Sequence, residues 1–509
     1  MKHLSGMDST FLHIETPEMP MHVGSLHVLD LPEGYAGDFY EDAKAHIAGR
    51  LHLADVFTRK LAQIPFDLSN PVWVDDDDVD LDYHVRHITL PKPGTNRQLQ
   101  QYVARLHSSL LDRSRPLWEY FIIDGLRSGQ VALYAKTHHS AIDGASGLAM
   151  GRAIFDLEPT GRVVKPSRQR ERRHGYQLGM AELAAAALRN SAQQYLTLAK
   201  MVPDMVRAMA GLASAQPEAQ EDAGETPRAR SFNMLAPRTS LNVSITNQRS
   251  FAGRTIPVAE TKQIARHFGV TLNDVVMATV AGALRSILTD YNELPDKPLI
   301  AGVPVSLREA GDETANNQVS GMLVSLCTDI ADPVERMRQI RSASGAAKAR
   351  MSRFKDVIPD DIPMFAAPWL MSGMASLYSR SGLANMVPPL ANVAISNVPG
   401  APVPLYFAGA RMTCYYPVSM VTHGVALNIT VHSYNGRMDY GFIACRRALP
   451  DLNDLGDCLL AEHRLLLGLV QQAAPAAVPA LAALEAVPEV MVKAKAGAKR
   501  PARVSPGTP

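Results

Sequence analysis

Residues 131–144 read Val-Ala-Leu-Tyr-Ala-Lys-Thr-His-His-Ser-Ala-Ile-Asp-Gly, and they hold the side chains best suited to chemistry. An apolar run ends in two adjacent histidines, His138 and His139, and Asp143 and Gly144 follow. A strand that stops at His-His, turns and restarts as a helix leaves one imidazole at an element edge, where it can face a cleft. A neutral imidazole there is a natural general base at neutral pH. The plain alternative is a core or surface histidine near a strand end. Neighbouring strand residues point to opposite faces, so the pair cannot chelate one metal in a simple way. The His-Glu-x-x-His spacing that serves zinc on a helix is absent, and no metal is expected. Ser140 and Ser146 stand close by, but Gly-x-Ser-x-Gly is missing. The run Asp75 to Asp78 reads as a solvated loop, because consecutive side chains do not converge on one ion.

The elements that must position this corner alternate. Residues 22–30 alternate as a half-buried strand does. Residues 97–112 carry Leu99, Val103, Leu106 and Leu110 at helical spacing. Pro116, Leu117 and Trp118 lead into an apolar strand at 120–123, and 131–137 form the next. Residues 161–175 are basic, with Arg168, Arg170, Arg172 and Arg173, and 178–212 read as a long helix that Pro203 interrupts. That helix packs on the domain surface or rests on an anionic membrane. Further on, Thr271 caps a helix over 271–288. A strand spans 298–308, and Asn435-Gly436 turns a hairpin over 425–444. No short-period repeat is visible.

The chain has 509 residues, too many for one core. The domains read as 1–212, a linker at 213–240, 241–472, and a disordered basic Ala/Pro/Lys tail at 473–509. Lys plus Arg number 51 and Asp plus Glu 50, so no global field attracts nucleic acid, and any anionic ligand needs a local patch. Cys327, Cys414, Cys445 and Cys458 form no Cys-x-x-Cys pair and read as free thiols in a reducing compartment. The N-terminus lacks a signal-peptide core, and no apolar run of about 18 residues suggests a membrane span. The expected location is the cytoplasm, including the inner face of the plasma membrane or a lipid droplet.

His138-His139-Ser140-Ala141-Ile142-Asp143-Gly144 is similar to the His-His-x-x-x-Asp-Gly motif of CoA-dependent acyltransferases. Asp8 to Phe11, Pro20-Met21-His22-Val23-Gly24, Pro116-Leu117-Trp118-Glu119, Asn273-Asp274-Val275-Val276 and Ser396-Asn397-Val398-Pro399-Gly400 narrow the resemblance. They resemble the bacterial wax ester synthase/diacylglycerol acyltransferase family over roughly residues 1–470. Ser140 departs modestly from it, standing where the family often has alanine.

The resemblance implies an α/β fold of two chloramphenicol acetyltransferase-like domains, each a mixed sheet flanked by helices, with a substrate tunnel between them. It implies acyl transfer from acyl-CoA to the hydroxyl of diacylglycerol or a long-chain fatty alcohol, with acyl-CoA as substrate and no cofactor. His139 would be the base, His138 a packing or hydrogen-bonding residue, and Asp143 a turn-fixing partner of Arg308. Gly144 would let the chain turn into the next helix, and Pro116 and Trp118 would shape the tunnel wall. Asn273, beside Asp274, either bonds backbone at its helix start or donates to the oxyanion; capping is the favoured reading. Asn397 would hold the segment crossing between domains. Met364, Met371 and Met374 line an adaptable channel or belong to ordinary core. Three alternatives stand beside this reading: a condensation-type enzyme, an idle lipid-droplet or membrane-surface protein of the same fold, and a zinc hydrolase.

Overall fold

Strands and helices alternate through the first half, as the spacing predicts. The computed structural model describes residues 2–4, 6–62, 71–142, 144–166, 235–306, 319–355 and 385–472, with Leu377 and Gly382. The first half contains β1 (Lys2–His3), α1 (Gly6–Ile14), β2 (His22–Asp30), α2 (Phe39–Ala48), β3 (Arg59–Ala62), β4 (Val72–Asp75) and α3 (Leu81–His84). It continues with β5 (Val85–Thr89), α4 (Asn96–His107), β6 (Trp118–Asp124), β7 (Val131–His138) and α5 (Gly144–Ile154). The second half contains β8 (Arg249–Pro257), α6 (Val258–Phe268), α7 (Leu272–Asp290), β9 (Ile300–Ser306), β10 (Val319–Ser325) and α8 (Pro333–Lys355). It ends with β11 (Val393–Val398), β12 (Tyr406–Phe407), β13 (Ala410–Val418), β14 (Leu427–Tyr434), β15 (Arg437–Cys445) and α9 (Asn453–Gln472).

Two six-stranded mixed sheets organise these elements. The first runs β12-β13-β2-β7-β6-β5, and the second β10-β9-β11-β14-β15-β8. Parallel pairs, β5 with β6 and β11 with both β9 and β14, interrupt otherwise antiparallel ladders. The expected boundary at 213–240 does not divide the pairing, because β12 and β13 come from the second half yet join the first sheet. β13 pairs with β2 from Arg411↔Asp30 to Val418↔Gly24. Without them β2 would present an open row of backbone donors and acceptors at the sheet edge.

Each sheet has its own core, and a third joins them. Leu29, Trp118, Leu133, Met150 and Phe407 seal one face of the first sheet under α2 and α5. Val276, Leu284, Ile340, Val393, Ile429 and Leu459 seal the second sheet under α6 to α9. Leu26, Phe121, Tyr134, Phe251, Val418 and Ile443 pack between the sheets. In the helical layer the buried carboxylate of Glu462 meets the Arg336 guanidinium and lies across Gly282 of α7, where a Cβ would overlap it.

Local chemistry explains the ends of elements. α4 stops at His107, short of the expected 112, because the buried Lys136 ammonium binds the carbonyls of Leu106 and Ser109 at 3.3 and 3.1 Å. Leu110, beyond that end, is exposed. The β14–β15 hairpin turns at Asn435 and Gly436, with φ of 43° and 77°, the left-handed pair that a two-residue hairpin requires. Asp75 ends β4, and Asp75 and Asp76 pair with Arg59 and Lys60. The arginine cluster at 168–173, the 178–212 helix, the 213–230 stretch, Met364, Met371, Met374 and the 473–509 tail lie outside the described residues. Among the described helices only α7 is long and apolar enough to cross a membrane, and 72% of that window is buried in the fold.

Candidate active site

The ladder between β2 and β7 ends at His22 opposite His138. Two further backbone bonds pin the corner. His138 N–H donates to the Leu117 carbonyl at 3.0 Å, and His139 N–H to the Met21 carbonyl at 2.8 Å. The chain then makes a 3-10 turn over His139–Ala141, and α5 starts at Gly144.

His138 is fully buried. The Ser140 backbone N–H donates to its Nδ1 at 3.1 Å, and the Ser140 hydroxyl lies 2.7 Å from the same atom. An amide N–H can only donate, so Nδ1 carries the lone pair and the ring proton sits on Nε2. That nitrogen faces Glu15 Oε1 at 3.4 Å, a long electrostatic contact without good hydrogen-bond geometry. Glu15 also accepts from Met21 N–H at 2.9 Å and from Arg113 at 2.8 and 3.2 Å. Arg113 in turn holds the Leu12 carbonyl of α1 at 2.7 Å. Burial pushes the Glu15 carboxyl up, but His138, Arg113 and the Met21 amide outweigh it and hold it down to about 2. Glu15 is therefore a fixed negative charge behind the histidine pair. Ser140 has the hydroxyl and imidazole of a nucleophile pair, but at 4% exposure it works as a lock on the turn.

His139 is the half-open member of the pair. Phe11 of α1 stacks on its ring, with centroids 4.1 Å apart. Its Nδ1 is buried without a well-formed hydrogen bond, and Nε2 is not among the buried unpartnered atoms. Burial lowers its proton affinity to about 4; its own carbonyl works the other way, and His138 adds to the lowering. The ring is therefore neutral at pH 7, with a free lone pair. Such a group can take a proton from an attacking hydroxyl and return it to a leaving group.

The expected support residues divide. Pro116, Leu117 and Trp118 are buried. Leu117 serves through its carbonyl on His138. Trp118 does not shape a tunnel wall: it is sealed, stacks on His84 at 4.3 Å, meets Phe57 edge-on and donates its indole N–H to the Phe57 carbonyl. Buried indoles settle where that N–H finds an acceptor, and here the acceptor lies inside the core. Asn273 is not the cap of α7. Thr271 is, in a reciprocal box with Asp274, whose carboxylate accepts from the Thr271 N–H at 2.9 Å and hydroxyl at 2.7 Å. Asn273 is the second helical residue, half-buried, with no side-chain hydrogen bond among the described residues. Asn397 lies in β11, nine residues before the crossing segment begins at Tyr406, and its side chain likewise makes no bond there. Asp143 and Arg308 lie outside the described residues. Glu15 and Arg113 are the residues that sequence reasoning missed, and Phe11, within the singled-out Asp8 to Phe11 segment, had been given no role. No spacing rule connects position 15 to position 138, although Glu15 closely precedes the singled-out Pro20–Gly24 segment.

The crossing strand carries a second polar cluster. Asp439 of β15 accepts from the Tyr415 N–H at 2.7 Å and the Thr255 hydroxyl at 2.6 Å, and Tyr415 stacks on His432 at 3.9 Å. Burial raises the Asp439 carboxyl to about 6, against those bonds and Arg437. Beside it, the Ser-Asn-Val-Pro-Gly segment ends at Gly400, where a Cβ would meet His432 Cε1 at 2.0 Å. Among the described residues no three His, Cys, Asp or Glu side chains are grouped to hold a metal ion, and the four cysteines are free thiols.

The model of the wax ester synthase/diacylglycerol acyltransferase catalytic domain matches residues 4–276, and that of the family's C-terminal domain matches 315–466. A putative diacylglycerol O-acyltransferase of Mycobacterium tuberculosis (strain ATCC 25618 / H37Rv) is 38% identical over 447 residues, 88% of this chain and 95% of that one. The O-acyltransferase WSD of Acinetobacter baylyi is 34% identical over 480 residues, 92% and 98% of the two chains. The solved wax ester synthase/diacylglycerol acyltransferase of Marinobacter aquaeolei VT8 superposes with a TM-score of 0.65 at 32% identity, covering 92% of this chain and all of that one. The starter condensation domain of rhizomide synthetase, at 13% identity and a TM-score of 0.50 over 92% and 94% of the two chains, shares the fold alone. The chain belongs to the wax ester synthase/diacylglycerol acyltransferase family.

Proposed function

We propose that the protein moves a fatty acyl group from acyl-CoA to the hydroxyl of a diacylglycerol or a long-chain alcohol, with His139 as general base. The carrying observation is a half-open imidazole, neutral at pH 7, at the end of a pinned strand. The acceptor hydroxyl gives its proton to His139 Nε2 as its oxygen attacks the thioester carbonyl. The tetrahedral intermediate then expels the CoA thiolate, which takes the proton back. Burial disfavours the imidazolium, so the proton returns readily. The acyl group arrives activated, so this chemistry calls for no serine ester, metal or further cofactor.

Insoluble acceptors and products favour work at a membrane or lipid-droplet surface. Exposed Leu235, Met386, Val387 and Leu390 support that reading. They cluster because Ala236 N–H bonds the Pro389 carbonyl and Arg238 bonds that of Val387.

The test is CoA release from palmitoyl-CoA, with hexadecanol or a diacylglycerol, beside His139→Ala. Acceptor-dependent release that falls by about 10²–10⁴-fold in a folded variant is expected. Release at the same rate from the variant would remove His139 from the role.

A further inference from the structure

An open polar recess of about 530 Å³ lies between the loop 246–248 and the end of β15, lined by Thr246, Asn247, Gln248, Arg446, Arg447 and Pro450. Its floor is rigid. Buried Arg249 donates to the carbonyls of Thr246 and Gln248 and, at 2.7 Å, to that of Glu18. Arg446 N–H donates to the Gln248 carbonyl at 3.0 Å. With those carbonyls turned onto Arg249 and β15, the Asn247 N–H has no partner among the described residues.

The exposed Arg446 and Arg447 guanidinium groups join no ion pair among the described residues. Asp451, just past the recess, is held by Arg97 at 2.5 Å. The lining therefore offers two uncommitted cations, two side-chain amides and a free backbone N–H, and no carboxylate. That is a donor set for phosphate oxygens.

The recess also adjoins the frame of the base. Arg249 holds Glu18, and Glu18 is three residues from Met21, at most about 11 Å along the chain. Met21 in turn binds the His139 backbone. An acyl-CoA is apolar at its acyl end and polyanionic at its nucleotide end, where it carries a diphosphate and a ribose phosphate.

We propose that this recess binds the phosphates at the nucleotide end of the acyl-CoA donor. The assignment rests on the acyl-CoA reading above. Arg446 and Arg447 then set donor affinity, and the chemistry at His139 is untouched by them.

Two measurements test it. The first is calorimetric titration with adenosine 3′,5′-bisphosphate, which requires no turnover. The second compares KM for palmitoyl-CoA with KM for palmitoyl-pantetheine, which lacks the phosphates. In R446A/R447A we expect bisphosphate affinity to fall and KM for palmitoyl-CoA to rise, each by about 10- to 100-fold, with palmitoyl-pantetheine unaffected. R446K/R447K, which keeps the charge without the fork, should fall in between.

Unchanged bisphosphate affinity, or an equal rise in KM for both donors, would overturn the proposal. So would a loss of flotation on phosphatidylglycerol vesicles with bisphosphate affinity intact, since the cations would then serve a lipid headgroup. Bisphosphate binding by a wild-type protein that transfers no acyl group from any CoA donor would sink the donor reading alone and leave the phosphate site standing.

Discussion

The first sheet ends in the His138–His139 corner, while the second sheet's long helix begins in the Thr271–Asp274 box. Both singled-out motifs sit where one element hands over to the next, yet their polar groups are treated in opposite ways. At the start of α7 the hydroxyl, the carboxylate and the backbone donors satisfy one another. At the corner, His139 Nδ1, His138 Nε2 and His22 Nδ1 are buried without hydrogen bonds. Burying polar atoms without partners costs about 1–3 kcal/mol each. A fold keeps such atoms where something else is gained, so of these two handovers we assign the chemistry to the corner with unsatisfied nitrogens and the support to the closed box.

The largest expected effect that sharpens this contrast is at Glu15. Glu15→Gln removes the fixed charge behind His138 and leaves Arg113 without its carboxylate. We expect kcat to fall about 10- to 100-fold, the usual range for a residue that orients a functional ligand, with KM for the acceptor little changed. A change in KM alone would make Glu15 a substrate contact and weaken the contrast.

Acid should next separate activity from stability. His139 has its proton affinity lowered by burial to about 4, so kcat/KM should hold well below pH 6.5 before its acid limb begins. A limb centred at 6.5 would mean that the ring titrates as though in water. Stability should move over a different window. Burial depresses His27 and His107 to about 3 and His432 to about 4, and puts His22 well below its ordinary value. Between those values and about 6.5 the unfolded chain binds protons that the folded chain refuses. Stability therefore falls as pH falls through that window, with nothing lost above it. Chemical denaturation at pH 7 and pH 5 checks the sign.

The smallest effects belong to the second half. Asp274→Ala opens the capping box and should cost about 1 kcal/mol, read as a lowered melting temperature with kcat retained. Asn273→Ala should change kcat by less than about twofold, given a surface-like cost of ~0.5 kcal/mol or less. A large loss of kcat from Asn273→Ala, with the fold intact, would move part of the chemistry into the second half and break the comparison.

Much of this was legible in the residues because it is local. The His-His ending, the Asn435-Gly436 turn and the Thr271 cap each declare themselves within a few positions. Trp118 did not, because the same bulk that could wall a channel can fill a core, and the acceptor for its indole N–H, at Phe57, lies 61 residues away. Glu15 was silent for the same reason: its partners are 98 and 123 positions distant. The crossing of β13 into the first sheet was hidden too. Alternation announces a strand but not its neighbour, so residues 410–418 read as part of the half that contains them.

That strand has a consequence for how the molecule comes into being. A chain emerging from synthesis makes β2, β7, β6 and β5 hundreds of residues before β13 exists to cover β2. Until then the first sheet has one naked margin, and the histidine corner lacks the Ser419 carbonyl that His107 holds at 2.8 Å. The half with the histidine corner can reach its final form only after the other half is almost complete, so separately produced halves should each aggregate and regain solubility when expressed together.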